Sequence, residues 1–342
     1  MNLSVDRVSA EALDSAAVRR HSVIGPVAMA AILPLWSLVS FAHPADGLGP
    51  VMLALSAAAF FVTIAAFYVT ARLAFERQTY LLWGGVVAAV VIGFALSGLS
   101  ELWAVLMATG AIWFGGVLPG RLAAMGRHEG FCYAAGMIAV GLLHVALFGP
   151  MWPSMIAGAK QAIPGLMEQF KQASSLVGSS PEEVTANLMQ TERLMEIIVG
   201  LIPAGTFLSA QLQFAIGFVL FAVFVSRRHS ALSFATPFEY WRISFAVAPL
   251  VVVAIAFRLL GGGWVVAAAD NLIAVLSVFY CVAGLTLAEF YLRAFRLPML
   301  LRVLFYVLML LTHIVGFFVM ALLGFVDSFA NWRKRQVALD EE

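Results

Sequence analysis

The chain has 342 residues, of which 62% are hydrophobic and only 11% charged. Soluble domains carry roughly 25% charged residues, so this composition excludes a soluble globule. A net charge of +1 leaves no basic field for nucleic acid. Apolar windows of about 20 residues recur without the alternation of a barrel strand. They predict an all-α, polytopic helical membrane protein with about eight to ten crossings.

Residues 1–21 read as a soluble, mixed-charge tail. They lack the layout of a cleaved signal peptide, so the first membrane helix is expected to stay. About five membrane helices come next in residues 22–149: Val23–Ala42, Leu48–Leu73, Tyr80–Ser97, Glu101–Leu118 and Phe131–Gly149. Small residues four apart, Ala54 with Ala58, Gly84 with Ala88 and Ala89 with Gly93, suit close helix packing. Cys132 and Cys281 fall inside apolar runs and read as buried free thiols.

Residues 150–196 form the one long polar segment. Apolar residues Ile163, Leu166, Met167 and Phe170 give its first part an amphipathic face. Ser180, Pro181 and Glu183 predict a capped helix start, with Val184, Leu188, Met195 and Ile198 along one face. The segment is expected to be an amphipathic, interfacial helical hairpin, with a substrate lid as the functional alternative.

About four membrane helices are expected in residues 197–327: Ile197–Val225, Ile243–Leu260, Trp264–Leu292 and Met299–Val326. Pro203 frees backbone groups that neighbours must satisfy. Gln211 and Gln213 are candidates for interhelical hydrogen bonds. A stripe of Gly263, Ala267, Asp270, Ala274, Ser277, Cys281, Gly284 and Ala288 predicts a protein-facing side. The last helix repeats the pattern with Tyr306, His313, Gly316, Met320, Gly324 and Asp327, placing His313 near its middle. Residues 328–342 form a charged tail, where Trp332 and the basic run Arg333, Lys334 and Arg335 suit a headgroup layer.

Ionisable groups inside membrane helices are costly, so those here are candidate sites. Gln213, Asp270, Asn271 and His313 form the candidate ligand-binding set, oriented inward between the last four helices. Structural alternatives stand beside it. Asp270 can pair with Arg258, Glu289 with Arg293, and Asp327 with the basic tail, while His313 can be a hydrogen-bonded core residue. His144 and Glu101 complete the membrane-located ionisable groups. No two ligands show a metal-binding spacing, so no metal and no cofactor is expected. No nucleophile or acid–base pair has a recognisable partner, so no catalytic residue and no enzyme is expected. P-loop, HExxH and GxSxG patterns are missing from the sequence. Energy for any transport would therefore come from a partner ATPase or a gradient.

Residues 197–335 resemble the YybS-like family of predicted bacterial membrane proteins. The features are Leu201-Ile202-Pro203, Asn271 with the later Gly284-Leu285, Leu323-Gly324-Phe325-Val326-Asp327, and Trp332-Arg333-Lys334-Arg335. That family is distantly similar to the substrate-binding membrane subunits of energy-coupling-factor vitamin transporters. The resemblance implies a multi-pass protein of the bacterial inner membrane that binds a small molecule. It also implies alanine-rich helix faces that dock a partner subunit, with ordinary helix packing as the alternative. A membrane scaffold or assembly factor without transport is the rival reading. With the N-terminus inside, about nine crossings place most arginine-bearing loops in the cytoplasm. The same count puts Arg333, Lys334 and Arg335 outside, whereas the resemblance implies a cytoplasmic tail. Either one segment fails to cross or the tail breaks the rule.

Overall fold

A computed structural model describes residues 49–97, 102–176, 181–228, 238–330 and 332–333. The expected helix Val23–Ala42, Glu101, the Ser180 cap, Lys334 and Arg335 lie outside the described residues. Among the described residues there are eleven α-helices and no strand. They are α1 Gly49–Phe75, α2 Thr79–Ser97, α3 Leu102–Ala124, α4 Glu129–Phe148, α5 Trp152–Leu176 and α6 Pro181–Gly200. Then come α7 Ile202–Arg228, α8 Ala248–Leu260, α9 Trp264–Ala294, α10 Met299–Leu311 and α11 His313–Ala330. Among the described residues, six helices are long and apolar enough to cross a bilayer, and three more are apolar but shorter. The chain is a polytopic helical membrane protein. It divides into two compact units.

The first unit holds α1 to α4 and the part of α7 from Ser209 onward. Its core is a cluster of aromatic rings. Phe214 meets Phe67 edge-on at 5.6 Å and stacks on Tyr133 at 5.5 Å. Such pairs add to the area they bury. Helix α3 lies tightly on α1, because a Cβ at Gly116 or Gly120 would collide with Thr70 or the Ala71 carbonyl. Backbone approach of this kind is how apolar helices associate where lipid removes the hydrophobic driving force. Of the expected small-residue pairs, Ala89 and Gly93 are buried, whereas Gly84 meets no neighbour within 4 Å. Buried Gln211 donates to the Met137 carbonyl on α4 at 3.1 Å, an interhelical bond as expected.

Helix ends in both units share one device. After α1, Gln78 N–H donates to Leu73 O at 2.9 Å, with Arg77 left-handed between them (φ 58°). After α3, Arg127 N–H donates to Leu122 O at 3.0 Å, with Gly126 at φ 72°. After α9, Leu297 N–H donates to Leu292 O at 3.0 Å, with Arg296 at φ 52°. All three are Schellman closures, whose left-handed residue is usually glycine.

The second unit holds α5, α6, α7 up to Leu208, and α8 to α11. Helices α5 and α6 pack on each other as the polar hairpin. Val184, Leu188 and Met195 are half-buried there, as their spacing predicts, but Ile198 is exposed. Helix α9 packs chiefly on α11. A Cβ at Gly284 would strike the Met320 carbonyl, and one at Gly324 would strike the Tyr280 carbonyl.

Two expectations are corrected by this packing. The packed face of α9 is Leu276, Tyr280, Ala283, Gly284, Leu287 and Phe290, rotated from the expected small-residue stripe. Of that stripe only Gly284 is buried, and Ala267 is exposed. The larger side chains offer more contact surface, so they take the interface around the glycine crossing. The helix expected over Met299–Val326 is two helices, interrupted at Thr312, with His313 left-handed at φ 45°. On α11 the expected face holds, with Gly316, Met320, Gly324 and Asp327 buried.

Candidate functional site

Polar side chains of the second unit gather at the two ends of α9. The distance from Asp270 to Glu289 along that helix is about 28 Å, close to the hydrocarbon thickness of a bilayer. Both groups of charges can therefore lie at membrane–water boundaries while the apolar middle of α9 crosses the core.

The first group sits at the N-terminal end of α9, around an interruption between α6 and α7. Pro203 has no N–H to continue the helical ladder. One position later, the bond expected from Ala204 N–H to Gly200 O is replaced. Ala204 N–H instead donates to Asn271 Oδ1 at 2.8 Å, and Asn271 Nδ2 donates to Gly200 O at 2.9 Å. The Asn271 amide is thus inserted into the gap and satisfies both sides of it. A further bond from Nδ2 to Ala267 O, at 2.8 Å, fixes its rotamer against its own helix. Next to it, Asp270 pairs with Arg258 of α8 at 2.6 Å, and both side chains are about half exposed. On the α7 side, Thr206 accepts a hydrogen bond from Trp152 Nε1 at 3.2 Å and donates to Pro203 O at 3.0 Å. Helices α5, α7, α8 and α9 therefore all place a polar group at this end.

The second group sits at the C-terminal end of α9. Buried Glu289 accepts from Arg293 Nε at 2.6 Å, from Tyr306 Oη at 2.9 Å and from Arg302 Nη1 at 3.3 Å. Arg293 also reaches the Glu239 carboxylate at 2.8 Å. Beside this lies Arg333, only 5% exposed. Its Nη1 donates to the Glu239 and Trp241 carbonyls at 2.8 and 2.7 Å, and its Nη2 to Thr286 Oγ1 at 2.9 Å. Asp327 Oδ2 lies 3.4 Å from Nη2, while Oδ1 accepts from Trp332 N–H. Burial lowers the Arg333 pKa and the Asp327 charge works against that. An arginine in this setting stays protonated.

Asp270 and Asn271 are neighbours in the first group, and the Arg258–Asp270 pair is formed. Gln213 belongs to the first unit and donates to Ser209 on its own helix at 3.3 Å. His313 is exposed at the α10–α11 joint, with its Nδ1 beside the Leu311 carbonyl. The expectation that it lies mid-helix on a packed face is corrected, because the helix breaks there. Arg333, expected at the headgroup layer, is inside the protein. Glu289 with Arg293 and Asp327 with the tail pair as the structural alternative has them. Sequence reading missed Trp152 and the Glu239–Trp241 carbonyls. They are distant in sequence, and backbone acceptors carry no signature. No group of three or more metal-ligating side chains occurs among the described residues.

A family model described as "Predicted membrane protein (DUF2232)" matches residues 51–328. No curated protein and no solved structure matches the chain.

Proposed function

The chain belongs to the DUF2232 family of predicted membrane proteins, and we propose that it is a non-enzymatic binding subunit that takes a small polar molecule at the membrane boundary. The observation that carries this reading is the Asn271-held interruption between α6 and α7, with the half-exposed Arg258–Asp270 pair beside it. Irregular backbone at a membrane boundary is tolerated only where partners satisfy it, and interrupted helices recur at the binding sites of transporters. The Arg258–Asp270 pair offers both signs of charge to a ligand able to compete with it. The features resembling YybS-like proteins, and more distantly the energy-coupling-factor subunits, support the same reading. Energy would come from a partner ATPase or a gradient, and the membrane would be the bacterial inner membrane.

The rival reading is a scaffold or assembly factor without transport. It is favoured by the way the Asn271 amide is consumed by backbone partners and Gln213 by Ser209. Protein purified from membranes, together with its Asp270→Asn variant, separates the two. Mass spectrometry identifies the co-purifying small molecules and proteins. A binding subunit releases a small molecule that the variant lacks, with its melting temperature nearly unchanged. A scaffold carries no such molecule and retains the same protein partners in both forms.

A further inference from the structure

Two of the three Schellman closures place an arginine where the backbone favours glycine. Arg77 and Arg296 have φ of 58° and 52°, a region in which a Cβ is disfavoured. The fold uses glycine at the equivalent place after α3, where Gly126 has φ 72°. Nothing in the turn geometry therefore demands arginine. Both side chains are exposed, and neither makes an ion pair among the described residues. The acids near them are already engaged. Glu76 is held by Arg72 at 3.1 Å and Arg228 at 3.8 Å. Glu289 and Glu239 are held by Arg293 and Arg302. Among the described residues, neither strained arginine has an acid to compensate its charge.

Close to each arginine the chain is apolar and bare. Tyr80, three residues after Arg77, is 68% exposed. Met299, three residues after Arg296, is 74% exposed, and its neighbours Phe295 and Leu300 are 69% and 78% exposed. These residues flank the starts of apolar helices, where outward-facing groups suit the boundary between acyl chains and headgroups. A guanidinium can bond a lipid phosphate bidentately.

We propose that Arg77 and Arg296 are seats for anionic phospholipid headgroups, with Tyr80 at one turn and Phe295, Met299 and Leu300 at the other as acyl-chain contacts. The backbone strain is retained because glycine would relax the turn and remove the headgroup ligand. The excess positive charge selects an anionic over a zwitterionic lipid.

The test is native mass spectrometry of the full chain in detergent, titrated with phosphatidylglycerol or phosphatidylcholine. The wild type retains phosphatidylglycerol in preference to phosphatidylcholine. The Arg77→Gly/Arg296→Gly variant retains several-fold less of it, while its melting temperature stays level or rises as strain is relieved. Arg77→Gln/Arg296→Gln loses retention equally and serves if the glycine variant folds poorly. Unchanged phosphatidylglycerol retention in both variants overturns the proposal. So does equal retention of the two lipids by the wild type, or displacement of phosphatidylglycerol by millimolar inorganic phosphate.

Discussion

Asp327 Oδ2 and Arg333 Nη2 stand 3.4 Å apart, with 2% and 6% of their side chains open to solvent. A charge pair so buried contributes little net stability, but removing one member strands the other. Around it, the Arg333 guanidinium also bonds the Glu239 and Trp241 carbonyls and Thr286. One side chain therefore joins the end of α11 to α9 and to the segment before α8.

Arg333→Ala should destabilise the second unit by about 3–5 kcal/mol, the range for breaking a buried pair. Arg333→Met combined with Asp327→Leu should recover part of that loss, since no lone charge remains. Thermal unfolding in detergent measures both. A single variant that melts with the wild type would show that the pair does not hold the helices together.

Asn271→Ala leaves Ala204 N–H and Gly200 O without the partner they now have. An unsatisfied buried backbone group costs about 1–3 kcal/mol, so the melting temperature should fall. Asn271→Asp should not rescue it, because a carboxylate supplies the acceptor for Ala204 but no donor for Gly200. Amide exchange at Ala204 gives a local readout, which should speed up in Asn271→Ala. Unaltered exchange there would remove the side chain from its role as the insert between α6 and α7.

Arg293 bonds the Glu239 carboxylate, and Arg333 bonds the Glu239 carbonyl. The turn after α9 and the end of α11 are therefore at the same end of the second unit. Helices α10 and α11 together go in and come back, instead of adding one net crossing. Arginines cluster on the cytoplasmic side, so the tail is expected there. In a Cys132- and Cys281-free background, cysteines placed at Ala338 and at Phe295 should both resist a membrane-impermeant thiol reagent in intact cells. Labelling of one and protection of the other would break the shared side.

The class of fold was legible because twenty-residue apolar runs have few other uses, and the bounds of α2, α4 and α9 follow from them closely. The split of the last helix was not legible. Met299 to Val326 is almost wholly apolar, and neither glycine nor proline marks the turn at Thr312, where His313 takes a strained conformation instead. The α9 stripe was misread for a related reason. Small residues mark where backbones can approach, but the crossing needs only Gly284 against Gly324, and bulk around it fixes the rotation. At the candidate site, Pro203 and Asn271 were each singled out, and Pro203 was expected to need a partner. The bond between Ala204 and Asn271 spans 67 positions of chain, and nothing in one sequence announces it.

The spacing of the two polar groups on α9 makes that helix a gauge of bilayer thickness. With Asp270 and Arg258 at one boundary and Glu289, Arg293 and Arg302 at the other, the apolar length between them is fixed by the sequence. A thicker bilayer must be met by an upright α9, and a thinner one by tilt. Tilting α9 carries α11 with it through the Gly284–Gly324 crossing, and it carries the Asn271 insert relative to α6 and α7. Lipid thickness therefore acts on the break between those two helices, so the surrounding membrane bears on its shape.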